Sequence, residues 1–96
     1  MRTLKQLYEI VLKNFLNTEY PKSICSIITE TWHNELISEC EFVILLNDLL
    51  TRKPNIFSRF WWNKDFNQIR DRFWWKLNKE GQQQRIKFLE HIISKL

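Results

Sequence analysis

Apolar residues recur at three- and four-residue spacing over most of this chain. Leu4, Leu7, Tyr8, Val11 and Phe15 fall on one stripe, widened by Ile10 and Leu12, which predicts an amphipathic helix from Thr3 to about Asn17. Thr3 and Gln6 mark its start with capping-box spacing: the hydroxyl accepts from the third backbone N–H and the amide reaches back. After Pro21, Ser23 is placed as the N-cap of a second helix whose inward face is Ile24, Ile27, Ile28 and Trp32 and which fades near Asn34. Leu36 and Ile37 then lead into a third helix. Ser38 and Glu41 repeat the capping box, Ile37 takes the staple position, and Phe42, Leu45, Leu46, Leu49 and Leu50 continue the stripe. Pro54 disfavours helix at Lys53 and ends it there. A last helix starts at about Gln82, or Asn78 at the earliest, with Ile86, Phe88, Leu89, Ile92, Ile93 and Leu96 inward. Gly81, the only glycine, is expected at its beginning, where a positive φ or an N-cap costs least.

Helices joined by short connections pack as antiparallel neighbours. Ninety-six residues allow one domain, burying roughly 60–65% of the unfolded surface, and 44% hydrophobic content is ample for that. One Gly and two Pro exclude both a turn-rich β-protein and a disordered linker. The expected fold is all-α: a compact bundle of four main helices, with an irregular or short-helical aromatic segment between the third and the last.

That segment, from Arg52 to Lys79, holds four of the five tryptophans and eight Lys/Arg against Asp65 and Asp71. Arg-Phe-Trp-Trp occurs in it twice, at 59–62 and 72–75. The interval is not a whole number of helical turns and the flanks do not match, so no repeat architecture follows. From Trp62 onward, Trp62, Phe66, Ile69, Phe73 and Leu77 cluster within about 80° of a helical wheel. On the same wheel Trp61, Trp74 and Trp75 lie at about 260°, 120° and 220° from Trp62. An extended Phe73–Leu77 instead turns Trp74 away from Phe73, Trp75 and Leu77. Either geometry leaves an indole off the main core.

Charge sharpens the contrast. Residues 1–50 carry four basic and seven acidic side chains, residues 51–96 eleven and four, and the chain as a whole is +4. Such asymmetry fits one face offered to a polyanion or an acidic protein patch; a lysine-rich solvated surface is the plainer alternative. Catalytic chemistry finds little to work with. Cys25 lies eight residues from His33, about 12 Å along a helix axis, too far for a nucleophile–base pair. Cys25, His33, Cys40 and His91 lack the short paired spacings of zinc sites. Both cysteines are expected to serve as small buried hydrophobes in a reducing cytosol. One glycine leaves no phosphate loop. Neither a signal sequence nor a membrane span is expected at the start, where lysines interrupt the apolar positions. The chain therefore reads as a non-enzyme without cofactor or metal.

The tail FWWKLNKEGQQQRIKFLEHIISKL and the opening TLKQLYEIVLKNF resemble short bacteriophage- and prophage-encoded proteins with no assigned activity. The resemblance covers the last quarter and the first helix and transfers no functional residues. It implies a phage accessory protein in the cytoplasm of a bacterial host. Several phage accessory proteins of this size inhibit host defence, anti-CRISPR proteins among them; that analogy concerns setting and size.

Three readings follow. In the first, Trp61, Trp74 and Trp75 anchor a host protein or ribonucleoprotein, a CRISPR effector nuclease being the candidate, because Trp and Arg dominate interface hot spots. Arg59, Lys64, Arg70, Arg72 and Lys76 accompany them. In the second, the same indoles stack on the bases of single-stranded RNA or DNA while the cations track phosphates. In the third, the indoles complete the core or the contact between two copies, so both a monomer and a homodimer are open.

Overall fold

The computed structural model describes residues 2–18, 24–52 and 79–96. The expected Ser23 cap and the stripe from Trp62 to Leu77 lie outside them. Among the described residues there are four helices and no strand: α1 Leu4–Leu16, α2 Ile24–His33, α3 Glu39–Thr51 and α4 Lys79–Lys95. No described helix is long and apolar enough to cross a membrane. The fold is an all-α bundle.

Both capping boxes form as the spacing predicts. In α1 the Gln6 backbone N–H donates to Thr3 Oγ1 at 3.2 Å and the Thr3 N–H to Gln6 Oε1 at 2.8 Å. In α3 the Glu41 N–H donates to Ser38 Oγ at 3.1 Å and the Ser38 N–H to Glu41 Oε1 at 2.9 Å. Each box satisfies two donors that a helix start otherwise leaves open.

The first helix organises the bundle: α1 packs against α2, α3 and α4, and α2 also packs against α3. Leu7, Tyr8, Val11 and Phe15 of α1 meet Ile24, Ile27 and Ile28 of α2, Leu45 and Leu49 of α3, and Ile86, Phe88, Leu89 and Ile92 of α4 in one apolar cluster that also takes in Ile37. Four expectations are corrected at its edges. Leu50 and Leu96 are about half exposed rather than buried. Leu50 sits on the outer side of α3, and Leu96 follows the last helical residue. On α2 the fully buried position is Thr31, whose hydroxyl donates to Ile27 O at 2.6 Å and accepts from Asn14 Nδ2 at 2.9 Å; Trp32 is only half-buried. Cys40 is exposed, since it falls on the outer side of α3. Gly81 lies within the first turn of α4, and no described glycine has a positive φ.

Positive φ occurs instead at Glu35, at 60°. Beyond α2 the Leu36 N–H donates to Thr31 O at 3.1 Å and the Glu35 N–H to Trp32 O at 2.9 Å, the paired bonds of a Schellman motif. Its left-handed residue is normally glycine, because a Cβ there costs about 1–2 kcal/mol. We expect Glu35→Gly to raise stability by about 0.5 kcal/mol once the extra entropy of glycine in the unfolded chain is deducted. Urea melts check this. A lower midpoint would mean that the glutamate side chain holds the turn.

Candidate interaction surface

All eight residues put forward from the sequence, Arg59, Trp61, Lys64, Arg70, Arg72, Trp74, Trp75 and Lys76, lie outside the described residues. The structure describes the residue at which the stretch that bears them begins and the helix at which it ends. Arg52, its first residue, ends α3: its N–H donates to Leu49 O at 3.1 Å, and its backbone is extended at φ −80°, ψ 136°. The stretch closes at Lys79, where α4 begins. Both bounding helices pack on α1.

The exit at Arg52 is clamped. Arg52 Nε donates to Asp48 Oδ2 at 2.9 Å and is 3.3 Å from Tyr8 Oη, while the guanidinium stands 5.4 Å from the centre of the Tyr8 ring. Tyr8 Oη donates to the same Asp48 oxygen at 2.5 Å. Burial first, and then donation to Asp48, pushes the Tyr8 phenol above its ordinary value, so it stays a donor through neutral pH. One carboxylate oxygen thus joins α1, α3 and the first cation of the basic stretch. Arg52 itself is occupied in structure.

A second cluster ties down the other end of α3. Glu41 is buried, and its Oε1 accepts from Arg2 Nη1 at 2.8 Å as well as from the Ser38 N–H. The Ser38 N–H holds the Glu41 carboxyl below its ordinary value; burial works against this, and Arg2 adds to the lowering. A lowered folded pKa means that the unfolded chain takes up the proton first. The contribution of Glu41 to stability is therefore complete above the ordinary carboxylate pKa, about 4.3, and is lost as pH falls through the folded value. We expect the melting temperature of the wild type to fall more steeply than that of Glu41→Gln between pH 5 and pH 2.5, on the order of the carboxylate titration range. Parallel curves in thermal melts would contradict this.

Trp32 stacks on Phe42 across the α2–α3 contact, with ring centres 4.5 Å apart and planes at 18°; the His33 ring lies 4.9 Å from Trp32. Cys25 and His33 border one shallow groove on α2 with Ser26, Thr29 and Glu30, but two helical turns separate them. Among the described residues no three His, Cys, Asp or Glu side chains gather as metal ligands would, and every buried polar side-chain atom has a hydrogen-bond partner.

The Tyr8–Asp48–Arg52 and Arg2–Glu41 clusters are not foreshadowed by local sequence spacing. Their partners are 39 to 44 residues apart, beyond any local pattern. The one local hint was Asp48 four residues before Arg52, a helical ion-pair spacing. Compared with known proteins, the chain matches no protein-family model, no curated protein and no solved structure.

Proposed function

We propose that the protein acts by binding rather than by catalysis, with the bundle serving as the mount for the tryptophan- and arginine-rich stretch. The observation that carries this reading is the content of that stretch: four indoles and eight cations against two carboxylates within residues 52–79. Indole and guanidinium groups bury large area with few rotamers or make forked hydrogen bonds, so they supply most interface energy. The clamp on Arg52 supports it physically, since a stretch held at its origin loses less freedom when it docks. The resemblance to phage proteins directs the choice of partner to a host protein or ribonucleoprotein, with a CRISPR effector nuclease as the first candidate and action as its inhibitor.

The test is capture of that nuclease, with and without its guide RNA, by tagged wild type and by Trp74→Ala. The variant is expected to keep its melting temperature and to bind at least tenfold more weakly, since truncating such an anchor costs about 2 kcal/mol or more. A large loss of stability with unchanged capture returns Trp74 to the core and overturns its role as an anchor. Binding to bare single-stranded RNA that weakens steeply with salt would instead establish the nucleic-acid reading.

A further inference from the structure

The outer faces of the described helices are not alike. On α1 the exposed positions include Lys5, Gln6, Glu9 and Lys13; on α4 they include Gln83, Lys87, Glu90, His91, Ser94 and Lys95. On α3 they are Glu39 at the edge and then Cys40, Val43, Ile44, Asn47, Leu50 and Thr51. These last six fall within about 120° of arc, opposite the buried Leu45 and Leu49. None of them is charged, in a chain with 27% charged residues. Val43, Ile44 and Leu50 are 47%, 42% and 49% exposed.

The geometry points to a second copy of this chain as the occupant of that face, with α3 packed against α3 about a two-fold axis parallel to the helices. Three observations select this partner. First, Cys40, Val43, Asn47 and Leu50 step by three, four and three residues, the spacing with which two helices interlock along a seam. Secondly, an uncharged face is self-complementary, because a symmetric contact places each residue near its own counterpart. In the same parallel arrangement the charged residues of the outer faces of α1 and α4 would each stand near their own like-charged counterpart. Thirdly, the six positions present on the order of 450 Å² per copy, so a pair removes at most on the order of 900 Å² from water, the size of a weak and reversible contact.

Asn47 sets the direction. In an antiparallel pair centred on the seam its amide faces Val43 of the other copy and loses its hydrogen bonds to water without replacement, at a cost of about 1–3 kcal/mol. In a parallel pair it meets the other Asn47, and the two amides satisfy each other, the arrangement that fixes register in two-stranded helical contacts. The same arrangement puts Cys40 opposite Cys40.

Sedimentation of the full chain from about 1 to 300 μM, a range set by the modest area, tests the pairing. The wild type is expected to be dimeric at the upper end and to dissociate on dilution. Val43→Lys/Leu50→Lys is expected to stay monomeric throughout, with an unchanged urea midpoint at the lowest concentration. Asn47→Asp changes a single exposed amide. It is expected to weaken the dimer at least tenfold at pH 7, where two carboxylates meet, and to regain it at pH 4. In a Cys25→Ser background, mild oxidation is expected to link Cys40 to Cys40 in the dimer and not in the lysine variant. A wild type that is monomeric over the whole range overturns the proposal, as does a dimer indifferent to Val43→Lys/Leu50→Lys. Asn47→Asp that dimerises like the wild type at pH 7, or the absence of a Cys40 link, overturns the parallel arrangement. A lysine variant with a lowered midpoint shows that the face is covered within the monomer, which also overturns it.

Discussion

Phe15→Ala is expected to destabilise the protein by about 3–5 kcal/mol, while Leu16→Ala next to it changes stability by no more than about 0.5 kcal/mol. Two adjacent large apolar residues of one helix thus differ about tenfold in effect. Phe15 is fully buried, in the cluster to which all four helices contribute, whereas Leu16 is 59% exposed. Truncating Phe15 forfeits the transfer energy of the ring and opens a cavity that the surroundings fill only in part. Because α1 is the helix that touches the other three, that cavity loosens every contact the bundle depends on. A domain of this size has about 5–15 kcal/mol in total, and each kcal/mol moves its melting temperature by about 4–8 °C. Thermal and urea melts of the two variants are the measurement. Equal losses would mean that α1 is not seated as described.

Asp48→Ala is expected to cost about 2 kcal/mol. The change removes the acceptor shared by Tyr8 and Arg52, leaving a fully buried phenol without its short hydrogen bond and a cation without its counter-ion. Asp48 and Arg52 side chains are each about a quarter exposed, so solvent takes over part of the lost interaction and the cost stays below that of breaking a fully buried pair. Tyr8→Phe in the Asp48→Ala background separates the components. With the phenol gone, losing the aspartate leaves no buried hydroxyl without its acceptor, and the double-mutant cycle should show about 1–2 kcal/mol of coupling. Additive effects in that cycle would place Asp48 with Arg52 alone. Asp48→Ala also removes the ion pair of Arg52 and leaves it only its contacts with Tyr8, so partner capture by this variant reports whether fixing the origin of the aromatic stretch matters for binding.

The helices were legible from the chain because their signals are local. Thr3 with Gln6 and Ser38 with Glu41 are three residues apart, and each box forms in the structure with the expected donors and acceptors. The α1 stripe places Leu7, Tyr8, Val11 and Phe15 in the core, where the structure has them, since a helix with one apolar side has one way to face the core. The α3 stripe was read less well. That helix is apolar on two sides and the least amphipathic of those described, so periodicity places Leu45 and Leu49 inward and leaves Val43 and Ile44 off the stripe, as found, but takes in Leu50, which is half exposed. For the interaction surface, the sequence identified the composition of residues 52–79 but not its anchorage.

From the sequence alone came four helices, the capping boxes of α1 and α3 and an all-α class, because each rests on relations between residues three or four apart. Tertiary structure decided that Leu50 stays outside the hidden side of α3, that α1 is the hub, and that Asp48 and Glu41 hold groups from the start of the chain. Those outcomes depend on which surfaces meet across about 40 residues of chain, and meeting is a matter of packing and desolvation that no local spacing records.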